Sequence, residues 1–230
     1  MTLQNYLLIE RNFSFDALAD IYSLINACGE WVDGDHTYTG VEGVKKNKEI
    51  KFRGDNVEYT QHVFSQIIFN RMDERPEFSL FTIPENSKVP LITRTEVGCY
   101  YNPHQDMATN GDFSTTVFLN DDFEGGELCL WLEGKEVKFK PPAGSSITYR
   151  TGIPHRVNKV TKGHRDVAVF WTHSKLKDPL DRELYMGLTS VIDLLEHKPI
   201  ETLEEAHQDP FFILNNLREN LLRQRLAPLR

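Results

Sequence analysis

The sequence predicts a mainly β fold with helices on either side, and two observations support that prediction. From residue 91 onward, short β-like runs alternate with turn residues at the density expected of a sandwich or an open barrel. The runs are residues 91–99, 114–120, 127–132, 136–140, 145–149, 155–160 and 165–173. Before and after this segment, apolar residues recur at helical spacing. With 230 residues and 40% hydrophobic composition, the chain is expected to build one substantial core with helical additions.

The first 90 residues are predicted to support the β segment. Residues 6–9 form a short apolar strand, and Ser14 is placed to cap a helix whose Leu18, Ile21 and Ile25 recur at helical spacing. Residues 33–55 are polar and punctuated by glycine, which predicts a long loop. A second helix is expected over residues 56–73, and residues 84–90 then form a connector.

The helical pattern returns after Pro179, with one helix through Leu184 and Val191 and another over residues 212–226. The sequence therefore predicts residues 1–176 as one domain and residues 177–230 as a helical extension. Within the first domain, residues 1–90 give helical support and residues 91–176 the β core. The C-terminal helices are also the expected surface for a homodimer.

Charge and cysteine content exclude several classes of partner. A net charge of −8 and a pI near 5.5 argue against nucleic acid as the main partner, because that binding draws on positive charge. Cys28, Cys99 and Cys129 are widely separated and odd in number, which indicates reduced thiols. No apolar run reaches the length of about 20 residues that spans a bilayer. We therefore expect a cytoplasmic protein without a membrane partner.

Three residues in the β segment form a candidate metal site. His104 and Asp106 are two positions apart, and residues at that spacing on a strand project from the same face. His155 comes from a later strand-like run and completes a set of two histidines and one carboxylate. This ligand set leaves open positions on non-haem Fe(II) in oxygenases.

Arg165 lies ten residues after His155, beyond a turn at Lys162 and Gly163. Its planar fork of donors suits a carboxylate held by two hydrogen bonds. If the two strands pair as a hairpin, His155 lies opposite residues 168–169, and Arg165 is then roughly 10–13 Å from it along the backbone. A small dicarboxylate such as 2-oxoglutarate would fill that gap, with one end on the metal and the other on the arginine.

Several motifs resemble the prolyl 4-hydroxylase superfamily of Fe(II)/2-oxoglutarate oxygenases, and in particular its PKHD-type hydroxylase branch. They are Gly98-x-x-Tyr101-x-x-His104-x-Asp106, Thr115-Thr116-Val117-Phe118-Leu119, Phe123-Glu124-Gly125-Gly126-Glu127-Leu128, Ala143-Gly144, His155-Arg156-Val157-x-x-Val160-Thr161-x-Gly163-x-Arg165 and Phe170-Trp171-x-x-Ser174. The resemblance continues at Trp31-Val32-Asp33-Gly34, at Val44-Lys45-Lys46-Asn47 and in the helical tail. It therefore covers nearly the whole chain.

The resemblance implies a double-stranded β-helix, or jelly roll, for the core. It also implies a dioxygenase that uses Fe(II), 2-oxoglutarate and O₂, with L-ascorbate as an accessory reductant, and that hydroxylates a C–H bond of a prolyl residue in a peptide or protein. His104, Asp106 and His155 would hold the iron and Arg165 the distal carboxylate of 2-oxoglutarate. The rest of the pocket is expected from Tyr101, Thr116, Leu128 and Trp171.

One position departs from the family pattern, because Thr95 stands where the superfamily usually has the first tyrosine of its motif. Thr116 is a candidate to supply the missing hydroxyl. On the family's topology, the loops over residues 33–55 and 107–112 lie at the open end of the barrel and would grip the substrate, the first of them mobile until it does.

Alternatives remain open at this point. The substrate of an oxygenase with these residues could be a small molecule, or the chain could be a metal-binding jelly roll without hydroxylase activity. A zinc hydrolase could use the same three ligands, but it would gain nothing from Arg165. A cupin-like binding protein would more typically show a His-x-His pair with a downstream glutamate. The other histidines are expected to be bystanders without ligand partners.

Overall fold

The computed structural model describes residues 6–34, 45–196 and 199–226. Its N-terminal helices follow the apolar periodicity, and the Ser14 hydroxyl accepts a hydrogen bond from the Ala17 backbone N–H, as an N-cap does. The helices of these residues are α1 (Phe15–Cys28), α2 (Val57–Asp73), α3 (Pro76–Thr82), α4 (Pro179–Ile192), α5 (Leu203–Gln208) and α6 (Pro210–Leu226).

Most strands lie in the predicted β segment, and several others precede it. The strands are β1 (Tyr6–Ile9), β2 (Gly29–Asp33), β3 (Lys45–Lys46), β4 (Lys48–Phe52), β5 (Pro84–Ser87), β6 (Leu91–Glu96), β7 (Tyr100–His104), β8 (Phe113–Phe118), β9 (Glu124–Gly125), β10 (Leu128–Leu132), β11 (Lys135–Phe139), β12 (Ser146–Arg150), β13 (His155–Val157), β14 (Val160–Lys162) and β15 (His164–Ser174).

These strands form two main antiparallel sheets. The larger has the order β1-β12-β8-β15-β6-β4-β2, with β5 also paired to β15. The smaller has the order β11-β10-β13-β7-β3, and β14 and β9 form a separate pair. Apart from the β10–β11 hairpin, the neighbours in each sheet are distant in sequence, as in a jelly roll. The predicted jelly-roll core with flanking helices is confirmed.

Two apolar clusters explain how the layers stack. The first joins α1 and α2 to the outer face of the larger sheet, with Ile21, Phe64 and Ile68 against Ala168 and Phe170. The second fills the space between the two sheets, where Phe118, Ile147 and Val167 of the larger sheet meet Leu128 and Leu130 of the smaller one. The helices therefore support one sheet from outside, and the inner space remains for the side chains between the sheets.

The predicted hairpin between the strands of His155 and Arg165 is wrong. β13 pairs with β10 and β7, whereas β15 pairs with β5, β6 and β8. The intervening residues form β14, which pairs with β9 instead. Gly163 then turns the chain with φ of 70°, a conformation that favours glycine. His155 and Arg165 thus reach the same interior from opposite sheets.

The long loop predicted over residues 33–55 is also wrong for residues 45–52. These residues, which we call the strap, cross from one sheet to the other: β3 pairs with β7, and β4 pairs with β2 and β6. Pairing with distant strands therefore overrides the polar local sequence. Residues 35–44 of the predicted loop lie outside the described residues. Short elements in the first 90 residues, β2, α3 and β5, were also missed.

Of the C-terminal helices, α4 and α6 form where the sequence predicts them, whereas the short α5 was missed. The proposed boundary between residues 176 and 177 falls in the connection from β15 to α4. The Arg182 side chain anchors α4, because its guanidinium donates to the backbone carbonyls of Leu176 and Lys177 and lies over the Phe113 ring. None of the helices in the described ranges combines the length and the apolar character that a bilayer crossing requires.

Candidate active site

His104, Asp106 and His155 meet in the space between the two sheets. His104 and His155 are direct partners across the β7 and β13 strands, and their ring centroids are 4.1 Å apart. One ligand atom from each of the three residues lies within 4.8 Å of the others. β7 ends at His104, so Asp106 is not on the strand as the sequence suggested but just beyond it.

Both imidazoles are oriented for metal binding by their own backbone. Nδ1 of His104 is 2.8 Å from the Asn102 carbonyl oxygen, and Nδ1 of His155 is 2.9 Å from that of Ile153. A carbonyl oxygen only accepts, so each Nδ1 carries the proton and each Nε2 presents its lone pair to the centre of the site. Burial lowers the pKa of His104 to about 4, with a further contribution from His155, which keeps its imidazole neutral at neutral pH.

The Asp106 carboxylate is held by the larger sheet. The Ser114 hydroxyl and the Trp171 indole N–H both donate to Oδ2, at 2.8 and 2.9 Å. Oδ1 lies 3.9 Å from His104 Nε2, and Oδ2 lies 3.8 Å from His155 Nε2. The three side chains thus converge on a space that one metal ion would fill.

Arg165 lies on β15 with only 3% of its surface exposed. Its Nε is buried without a hydrogen-bond acceptor among the described residues, and its Cζ is 5.1 Å from the centre of the Phe118 ring. Burial lowers the pKa of Arg165 to about 10, so the guanidinium remains charged at neutral pH. A buried cation with an unsatisfied donor is costly unless a ligand supplies an acceptor. The donors of Arg165 therefore fit the distal carboxylate of 2-oxoglutarate.

A cavity of about 330 Å³ connects the candidate metal ligands with Arg165. The structure places every residue singled out from the sequence on its walls, namely His104, Asp106, His155, Arg165, Tyr101, Thr116, Leu128 and Trp171. Tyr101 stacks on His104 with ring centroids 3.6 Å apart. Trp171 lines the wall as expected and also contacts Asp106 directly. Thr95, directly opposite Arg165 across β6 and β15, lines the cavity too.

Sequence reasoning missed Tyr149 as a cavity residue, and it missed the ion pair of the strap. Tyr149 on β12 is 2% exposed, and its ring is 5.2 Å from that of His155. Burial raises the pKa of Tyr149 well above its ordinary value, so its hydroxyl stays a proton donor. Lys45 and Glu49 of the strap form a buried ion pair on another wall. Strand alternation could have indicated Tyr149. The strap residues were expected at the open end of the barrel, but as part of a loop, and their strands and ion pair were not predicted.

Comparison with known proteins agrees with this geometry. Residues 90–173 match the model of the 2OG-Fe(II) oxygenase superfamily. A PKHD-type hydroxylase of Thermosynechococcus vestitus is 35% identical to this chain, over 94% of this chain and 96% of the relative. The match therefore includes the N-terminal helices and the C-terminal extension as well as the β core.

Solved structures share the fold at lower identity. A Pseudomonas putida prolyl-4-hydroxylase gives a TM-score of 0.53 at 19% identity, covering 74% of this chain and 92% of that one. A Trichoplax adhaerens prolyl hydroxylase, solved with a hypoxia inducible factor peptide fragment, gives 0.57 at 13% identity, covering 76% and 86%. With the full-length relative, these findings show that the chain belongs to the PKHD-type hydroxylases of the 2OG-Fe(II) oxygenase superfamily and is a 2-oxoglutarate-dependent dioxygenase.

Proposed function

We propose that this dioxygenase binds Fe(II) through His104, Asp106 and His155, binds 2-oxoglutarate through Arg165, and hydroxylates a prolyl C–H bond in a peptide or protein. The observation that carries the site assignment is the position of Arg165. Its buried guanidinium shares one cavity with the three candidate ligands and has a donor that no described residue satisfies. Neither a metal-storage site nor a zinc hydrolase requires such a cation.

The protein's own residues account for binding, orientation and exclusion of water. Bound Fe(II) and 2-oxoglutarate would supply the oxidising chemistry, in which O₂ is the oxidant and 2-oxoglutarate decarboxylation is coupled to hydroxylation of a C–H bond. The Nδ1 contacts of the two histidines hold each Nε2 toward the metal. Between the metal ligands and Arg165, the walls carry Leu128, Val167 and Val169, which keep this part of the cavity apolar.

Tyr149 is our candidate for the hydroxyl that the family tyrosine would supply at Thr95. Tyr149 is buried and lines the cavity. Tyr149 and Arg165 line the same cavity, and the charge of Arg165 offsets part of the rise that burial causes in the pKa of the Tyr149 hydroxyl. Thr95 and Thr116 line the cavity as well, but their shorter side chains extend less far into it.

The residues proposed to contact the substrate lie on the remaining walls of the cavity. The strap contributes Lys45, Asn47 and Glu49, and the segment after the metal motif contributes Met107 and Asn110. We propose that these two segments contact the substrate. Two structural neighbours are prolyl hydroxylases, one of them with a bound peptide, which supports a prolyl residue in a peptide or protein. A small-molecule substrate is the alternative.

Three further expectations remain predictions: a division into residues 1–176 and 177–230, L-ascorbate as an accessory reductant, and a homodimer through the C-terminal helices. The exposed apolar residues Leu184, Val191 and Leu217 on α4 and α6 support the last of these. Light scattering of the full chain and of a Leu184→Lys variant would test it, with a monomer in both cases as the contradictory result.

An anaerobic titration with Fe(II) and 2-oxoglutarate, followed by an O₂-dependent succinate assay, tests the function. We expect one iron per chain, one 2-oxoglutarate per iron, and succinate only after O₂ is admitted. A library of proline-containing peptides and free amino acids, screened by mass for the addition of one oxygen atom, then separates peptide from small-molecule substrates. Metal binding without succinate would favour the alternative of a jelly-roll protein without hydroxylase activity.

A further inference from the structure

The position of Asp106 depends on contacts with a different part of the chain. β7 ends at His104, so no ladder hydrogen bond fixes the backbone at Asp106 as pairing with β13 fixes His104. The carboxylate is instead held through side chains of the opposite sheet. Ser114 and Trp171, which we call the donor pair, both donate to the same oxygen, Oδ2.

The donor pair belongs to the most constrained part of the larger sheet. Ser114 on β8 and Trp171 on β15 are directly opposite each other, and β8 and β15 have neighbouring strands on both sides. Ser114 is fully buried, and its Oγ is also 3.2 Å from Thr151 Oγ1. The two donors are therefore presented from a fixed register, and they set where Oδ2 lies.

Distance alone does not decide which carboxylate oxygen would bind the metal. Oδ1 is 3.9 Å from His104 Nε2 and Oδ2 is 3.8 Å from His155 Nε2, so both oxygens border the same space. A carboxylate can bind a metal through one oxygen or through both. Each oxygen has two lone pairs, and the donor pair occupies those of Oδ2. Oδ1 accepts no hydrogen bond among the described contacts.

We propose that Ser114 and Trp171 are positioning residues that restrict Asp106 to binding the metal through Oδ1 alone. This inference rests on the proposed metal site. On an octahedral ion, two histidines, one carboxylate oxygen and the two donor oxygens of 2-oxoglutarate leave one position open. A carboxylate that bound through both oxygens would fill that position. The donor pair thus keeps a place on the metal accessible to a small exchangeable molecule.

The amount of exchangeable water on bound Mn(II) shows directly whether a position on the metal is open. This measurement does not depend on turnover. The full-length protein is loaded with Mn(II) and 2-oxoglutarate, and the relaxation rate of solvent protons reports water coordinated to the ion. We expect the Ser114→Ala and Trp171→Phe variants to lose at least about half of this contribution per bound Mn(II), and the double variant to lose more. Mn(II) affinity should weaken by about ten- to a hundredfold, the range for groups that orient metal ligands.

Two control variants separate this effect from a loss of packing. Thr115→Val removes a buried hydroxyl at the next position of β8, which pairs with Thr148 and does not contact Asp106, and it should keep wild-type relaxation. Ser114→Thr retains a hydroxyl and should restore most of the signal lost in Ser114→Ala. Wild-type relaxation in both single variants at full Mn(II) occupancy would overturn the inference and leave the metal site standing. Failure of the wild-type protein to bind Mn(II) would instead overturn the proposed function.

Discussion

The two ends of the cavity are built from different parts of the sheets. The inner end, which holds Arg165 and the candidate metal ligands, is lined by residues of β6, β7, β8, β12, β13 and β15, each of which has a strand on both sides. Arg165, Thr95, Thr116 and Tyr149 are almost fully buried there. The strap side is built only partly at a sheet edge: β3 has two residues and pairs only with β7 among the described strands, whereas β4 lies between β2 and β6. The two charged strap residues on the cavity wall, Lys45 and Glu49, pair with each other.

This difference suggests that the two ends have different roles, with metal and cosubstrate binding at the inner end and substrate recognition at the strap. Residues in the middle of a ladder cannot shift without disturbing neighbours on both sides, which suits the fixed geometry of a metal and a cosubstrate. An edge segment tolerates changes of length and sequence, which suits recognition of a substrate. Substitutions at the inner end should therefore affect every reaction of the enzyme, and those on the strap should affect mainly the reaction with substrate.

The largest effect is expected from His155→Ala, because it removes one of the three candidate metal ligands from the inner end. Fe(II) affinity should fall by more than about 100-fold, beyond the loss typical of groups that only orient ligands, and O₂-dependent succinate formation should disappear. Calorimetric titration with Mn(II) measures the affinity. His62→Ala, at an exposed position of α2, is the matched control and should behave as wild type. Full metal stoichiometry and turnover in His155→Ala would remove this residue from the site.

Arg165→Ala should give the next largest effect. A charge-assisted bidentate pair in a pocket is worth about 2–4 kcal/mol, so the apparent 2-oxoglutarate requirement should rise by tens to hundreds of fold with metal binding retained. Arg165→Lys should recover only part of it, because a point charge replaces a fork. Arg156→Ala removes an arginine that pairs with Glu136 on the outer face, and it serves as the control. An unchanged requirement in Arg165→Ala would assign the carboxylate to another residue.

On the strap, the double variant Lys45→Met/Glu49→Gln removes both charges without leaving one buried and unpaired. We expect the ratio of substrate hydroxylation to uncoupled 2-oxoglutarate consumption to fall by about tenfold, the order of effect for altered contacts in a specificity pocket. Succinate and hydroxylated product are measured in the same reaction. Lys46→Met, at an exposed position of the same strand, is the control. An equal loss of substrate hydroxylation and of uncoupled 2-oxoglutarate consumption would mean that the strap is not specific to the reaction with substrate.

The smallest effect is expected from Tyr149→Phe, which removes one hydroxyl from the inner end. A neutral hydrogen bond contributes about 1 kcal/mol, so 2-oxoglutarate binding should weaken by about fivefold. Anaerobic binding of 2-oxobutanoate, which lacks the distal carboxylate, should be unchanged. If both ligands weakened equally, Tyr149 would contact the metal end of the cosubstrate rather than its distal carboxylate.

The candidate metal ligands and Arg165 could be selected from the sequence because few residue types bind iron or a carboxylate, and their spacing matches one family. The terminal helices were also predictable, because helical periodicity and caps such as Ser14 depend on residues close in sequence. Strand pairing is not local in this way. The predicted hairpin of His155 with the strand of Arg165 was wrong because nothing near residues 155–165 shows that β14 pairs with β9.

The residue types and spacing of His104, Asp106, His155 and Arg165 therefore determined the chemistry this chain can support. The tertiary structure alone decided how those residues meet. It brings His155 and Arg165 together from opposite sheets, places the donor pair on Asp106, and turns a lysine-rich polar run into the strap. The physical reason is that the partners of an edge strand or a carboxylate are set by contacts between residues far apart in sequence, which local periodicity does not record.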